Sequence, residues 1–302
     1  MPTSNARHPA ILPSDMVAVR GRLTEAIARL EQFDVPVPKD CRLRVAVVVL
    51  TSVITADEFP TTALEFTKFV NAMELAEDFH AITAHLPTIG QGETRTQLKA
   101  AIRGSLAATE DDREPFRYQS QHWVGAMLRE ANLNPRIPVR RDRLNPDFIV
   151  QPLTSDYGVE VKRPMYERNV RANVEKAAEQ LASFGLEGAV LVDVSDCVRQ
   201  QPMASFQIEV QRLSDLIDGI LWNDAARMHR PGYGHVFMAA AYARGAWIVR
   251  PGPPVTVTRE NYFLATLFRY GKTASFFAGD SIHRRLEIAI AGEGFTMIAG
   301  RR

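Results

Sequence analysis

The chain has 302 residues, 46% of them hydrophobic and 24% charged, with a net charge of +1. This is the composition of a soluble globular protein long enough for two domains, and its net charge gives no general argument for nucleic acid. Two cysteines, Cys41 and Cys197, exclude a disulfide scaffold or a zinc ribbon and suit a reducing cytosol.

The first fifteen residues lack the apolar core of a signal peptide. From about Asp15 to Leu106 the pattern is helical. DMVAVRGRLTEAIARLEQF carries apolar residues at helical spacing and stops before Pro36 and Pro38. VAVVVLTSVITA, at 45–56, is the most apolar run; it is too short to span a bilayer and predicts a buried helix. A cytoplasmic protein is therefore expected. TALEFTKFVNAMELAEDFHAITAHL and TRTQLKAAIRGSLAA are further amphipathic helices. Together these predict an all-α N-terminal domain over 1–108.

Past TEDDREP the rhythm changes, and 109–302 reads as a second, α/β domain. PFRYQSQHWVGAMLREA is helical, and NPRIPVRR leads into the strands NPDFIV and YGVEVK. ERNVRANVEKAAEQLASFG is a helix with Gly185 at its C-cap. AVLVDVS is a continuous apolar run, as in a buried strand. The order is helix, three strands, helix, strand. SFQIEVQRLSDLIDGILWNDAARM then reads as a helix, HVFMAAAYA and AWIVRP as a hairpin around ARG, and ENYFLATLFRY as a closing helix. Alternating helices and strands predict an α/β fold with a mixed sheet.

The chemistry concentrates in NPDFIVQPLTSDYGVEVKRP. Side chains alternate along a strand, so Glu160 and Lys162 share one face of YGVEVK. If the two strands pair as a hairpin, Asp147 and Glu160 converge near its open end. Convergent carboxylates suit a hard cation such as Mg²⁺, or Mn²⁺, to which the carbonyl of Val161 can add a ligand. Such an ion activates water toward a phosphodiester, and Lys162 beside it can orient that water or neutralise the transition state. The plain alternative is a surface hairpin with an exposed Glu–Lys pair of little energetic value.

Pro146-Asp147 followed by Glu160-Val161-Lys162 resembles the signature of the PD-(D/E)xK nuclease superfamily. The resemblance implies a restriction-endonuclease-like αβββαβ core, matching the element order over about 114–195, and a DNA-cleaving activity in restriction, phage defence or repair. It also implies a supporting glutamine on the next helix, where Gln180 stands. Phe184 occupies the position at which one branch carries tyrosine. The superfamily often places a further acid on the first core helix; Gln119 and Gln121 stand there, so Glu114, with Asp111 and Asp112 nearby, is the substitute. Arg140, Arg141 and Arg143 before the motif, with Arg163 and Arg168 after it, are candidate nucleic-acid contacts. DNA is the expected partner. RNA cleavage, or a nuclease-fold module that only binds nucleic acid or protein, is the alternative. Paired sites in a homodimer suit double-strand cleavage, and the helical domain offers a surface for a protein partner.

Other chemistries fit less well. Gly271-Lys272-Thr273 ends like a phosphate loop, but Thr266 stands where that motif needs its first glycine. His80 and His85 are five apart and do not share a helical face. His122 beside Trp123 reads as core. His229 and His235 flank a loop that can touch substrate. No Gly-x-Ser-x-Gly elbow occurs.

Overall fold

The computed structural model describes residues 16–56, 60, 62–86, 91–107, 109, 111–138, 145–198, 206–222, 231–250, 256–268 and 273–291. They fall into two compact units. One comprises His8–Ala126 with Gly245–Glu260, the other Met127–Arg244 with Asn261–Arg302. The division falls at 126/127, inside the helix after TEDDREP, where the sequence suggested 108/109.

The first unit is led by α1 (Met16–Gln32), α2 (Arg42–Ala56), α3 (Ala63–Ala84) and α4 (Gln91–Ala101). In α1 the buried residues Met16, Val19, Leu23, Ala26, Ile27 and Leu30 recur at three- and four-residue spacing, giving one apolar stripe. That stripe packs on α2 and α3. Helix α3 starts at Thr62, whose hydroxyl oxygen accepts the Glu65 N–H at 3.3 Å and whose hydroxyl donates to the Glu65 carboxylate at 2.7 Å. α2 is less buried than its composition predicts: Val45 and Val48 are 42% and 68% exposed, so this helix has a solvent face.

Helix α5 (Glu114–Glu130) carries the chain to the α/β unit. The strands β1 (Phe148–Val150), β2 (Tyr157–Lys162), β3 (Gly188–Asp193), β4 (Val236–Arg250) and β5 (Thr256–Leu267) form one five-stranded sheet in sequence order. β1 is antiparallel to β2, β2 is parallel to β3, and β3 is parallel to β4. The fold is thus α/β with a mixed sheet. Within NPRIPVRR a single antiparallel bridge, from Arg136 to Ile149, is present among the described residues.

Helix α6 (Val170–Phe184) makes the crossover between the parallel strands β2 and β3. Its buried Val170, Val174, Ala177, Ala178 and Leu181 face the sheet. It ends where expected, at Gly185, whose φ of 76° is the left-handed conformation glycine adopts without penalty. The contact is close. A Cβ on Gly158 would lie 2.4 Å from Leu181 Cδ2, and one on Gly188 would lie 2.2 Å from the Gly158 carbonyl oxygen. Gly188→Ala should therefore cost about 1–3 kcal/mol, read as a lower urea midpoint with an unchanged m-value.

Beyond β3 come α7 (Ser195–Val198), α8 (Phe206–Trp222) and, after β5, α9 (Thr273–Ala291). Two expectations fail here. HVFMAAAYA and AWIVRP are not arms of a hairpin but parts of the single strand β4, and ENYFLATLFRY lies largely in β5. Tyr262, Phe263, Leu264 and Ala265 are all buried in β5. A run apolar on both faces has no period, so its pattern cannot separate strand from helix. No described helix is long and apolar enough to cross a membrane.

Candidate active site

The site starts from register. Phe148 pairs with Val159 and Ile149 with Gly158. Continuing that ladder by one residue sets Asp147 opposite Glu160, on the same face. Asp147 is fixed by the backbone of the facing strand: its Oδ2 accepts the Val161 N–H at 2.8 Å. Val161 thus enters the site through its N–H.

Glu160 is fully buried, contrary to the half-wet face that alternation alone suggests. The cause is α6. Gly158 lies beneath Leu181, so the face shared by Gly158, Glu160 and Lys162 is the one that α6 covers. One oxygen of Glu160, Oε2, accepts from Lys162 Nζ at 2.5 Å. The other, Oε1, is buried with no hydrogen-bond partner among the described residues. Burial pushes the Glu160 carboxyl up to about 8, helped by the charge of Asp147 and opposed by Lys162.

Lys162 is held from two sides. Its side chain is 12% exposed, and Nζ also donates to Gln180 Oε1 at 2.7 Å. Gln180 lies on α6, and its Nε2 donates weakly to the Asn145 carbonyl at 3.5 Å. Asp147, Glu160, Lys162 and Gln180 are therefore brought together, as expected, by two strands and one helix. The buried Asn145, two residues before Asp147, was not anticipated. A backbone carbonyl leaves no residue-type signal.

The remaining candidates are placed differently. Arg163 is not an exposed phosphate ligand, because its side chain is only 2% exposed. Its Nε and one terminal nitrogen donate to Asp196 at 2.7 and 2.9 Å, and Asp193 lies 3.5 Å away. Asp193 also takes Arg244 Nη2 at 2.5 Å and the Ser195 hydroxyl at 2.5 Å. These residues form a buried cage of two arginines and two aspartates at the carboxyl ends of β2 and β3, beside the middle of β4. The sequence signal was an Asp closing the apolar run AVLVD. Arg168 is exposed, with its guanidinium 4.8 Å from the centre of the Tyr166 ring. Arg140, Arg141 and Arg143 lie outside the described residues.

Glu114 lies in the helical unit at the exposed start of α5, 3.8 Å from Arg117. Asp112 accepts the Ser105 N–H at 3.1 Å. Gln119 is committed inside the same unit: its Oε1 accepts from Arg42 and its Nε2 donates to Asp78 at 2.6 Å. His122 is fully buried, as its core reading requires, and burial lowers it to about 4. Among the described residues no group of three His, Cys, Asp or Glu side chains converges as a metal site would. No protein-family model, no curated protein and no solved structure matches this chain.

Proposed function

We propose that the chain is a divalent-metal-dependent nuclease acting on DNA, with a restriction-endonuclease-like PD-(D/E)xK core in its α/β unit. One observation carries the reading: among the described residues the buried Glu160 Oε1 has no donor, opposite Asp147 and beside Lys162. An unsatisfied carboxylate oxygen costs about 1–3 kcal/mol in a folded protein, and a bound cation removes that cost.

The residues fit a hard cation. Asp147 and Glu160 offer carboxylate oxygens on one face, and Mg²⁺ or Mn²⁺ sites commonly rest on one or two carboxylates with waters and substrate phosphate completing the shell. Such an ion supplies Lewis acidity toward a phosphoryl oxygen and makes a water more acidic. The protein's own part is positional. Val161 N–H fixes the Asp147 carboxylate, while Gln180 and Glu160 hold the Lys162 ammonium. From there Lys162 can orient the attacking water and neutralise charge growing on the phosphate. A cytoplasmic homodimer would bring two such sites together.

The second reading is a nuclease-fold module that binds without cleaving. It is favoured by the commitment of Gln119 to Arg42 and Asp78, and by the exposed pairing of Glu114 with Arg117. Incubating wild type and Lys162→Ala with plasmid, linear and single-stranded DNA and with RNA, in Mg²⁺, Mn²⁺ or EDTA, separates the two. The expected result is metal-dependent DNA cleavage that falls about 10²–10⁴-fold in the variant. Wild type that binds DNA and cuts nothing supports the module. Cleavage of RNA alone would move the substrate assignment.

A further inference from the structure

Immediately after Lys162 the chain is pinned repeatedly. Arg163 is locked in the buried cage by Asp196 and Asp193. The Pro164 carbonyl accepts from the Cys197 thiol at 3.3 Å. Tyr166 follows in extended conformation, with φ −131° and ψ 149°, and its carbonyl accepts the Asn169 N–H at 2.9 Å. Glu167 then takes two nitrogens of Arg212 at 2.6 and 2.7 Å. A short stretch anchored on both sides presents a half-buried tyrosine with the exposed Arg168 guanidinium over its ring.

We propose that Tyr166 and Arg168 form a stacking platform for an unstacked base of single-stranded DNA, held next to the cleavage site. This rests on the nuclease reading and names the form of substrate that the site receives. A guanidinium held over an aromatic ring is a cation–π contact already made by the protein, and a nucleobase can add its own π-face to such a pair. Arg168 adds positive charge for the adjacent phosphate, and Arg171, with its side chain 63% exposed, stands one turn further on. Tyr166 is four residues past Lys162, so at most about 14 Å of extended chain separates their Cα atoms. The anchoring matters because a preordered platform does not lose that ordering entropy on binding. A paired base has both faces covered by its neighbours, so duplex DNA gains nothing from the stack.

The test is fluorescence anisotropy in EDTA, with a labelled single-stranded oligodeoxynucleotide, the same sequence as duplex, and the same sequence as RNA. Tyr166→Ala should weaken single-strand binding about tenfold or more, and Tyr166→Phe should restore it to within about twofold. Arg168→Lys should fall short of wild type, because charge remains and the plane is lost. Duplex affinity should change less than about threefold throughout. Circular dichroism melting confirms that each variant is folded. Equal losses on single strand and duplex, an unchanged Tyr166→Ala affinity, binding of RNA alone, or no single-strand binding by wild type would overturn the platform. Metal-dependent cleavage by wild type alongside an unchanged Tyr166→Ala affinity sinks the platform and leaves the nuclease standing. Tyrosine-dependent single-strand binding with no cleavage in any metal does the reverse.

Discussion

Glu160→Gln should yield a protein that is more stable than wild type at pH 8 and strongly impaired in DNA cleavage. The sign follows from the raised carboxyl. Glu160 titrates near 4.5 when exposed and near 8 in the fold, mainly because burial disfavours its charge. The native state therefore holds a proton that the unfolded chain releases between these values. The stability due to that protonated carboxyl is fully present below about pH 4.5 and is lost as pH rises through about 8. Glutamine mimics the protonated form at every pH. With each pKa unit worth about 1.4 kcal/mol, the variant should gain about 4–5 kcal/mol over wild type at pH 8.5, and close to none at pH 4.5. Chemical denaturation across that range, in EDTA, measures the difference. Metal-dependent cleavage should fall by about two orders of magnitude or more, since the cation loses a ligand and Lys162 loses an anchor.

Asp193→Ala should be the most destabilising single change in the α/β unit. Asp193 is fully buried and faces Arg244 at 2.5 Å and Arg163 at 3.5 Å. Removing it takes away the carboxylate that both buried guanidinium groups face. Breaking a buried ion network from one side costs about 3–5 kcal/mol, because an uncompensated charge stays behind. Asp193→Asn should cost less, as it keeps an acceptor oxygen for Ser195. Urea denaturation at pH 7 gives the comparison. A loss below about 1 kcal/mol for the alanine variant would mean that the cage is not what holds the carboxyl ends of these strands.

The motif was legible because it depends on two local rules. Strand alternation puts Glu160 and Lys162 on one face, and a hairpin register sets Asp147 opposite Glu160. Gln180 was legible only through the resemblance, yet it reaches Lys162 at 2.7 Å. Gly185 declared the end of α6 by its freedom at positive φ. What was not legible depends on burial by distant segments. The α6 cover turns Glu160 from a surface residue into an interior one. Arg163 reads as a surface charge until Asp193, Asp196 and Arg244 are brought around it by the parallel strands. Gln119 likewise finds Arg42 and Asp78 from helices far away in sequence. β5 was misread because residues buried on both faces erase the period that separates strand from helix.

The most direct measurement is calorimetric titration of Mn²⁺ into metal-free wild type, Asp147→Asn and Glu160→Gln at pH 8. A cation site at Asp147 and Glu160 predicts saturable binding by wild type that tightens as pH rises through about 8, as Glu160 ionises. Both variants should bind at least about tenfold more weakly. Absence of binding by wild type, or variants that bind as well as wild type, would contradict a metal site between these two carboxylates.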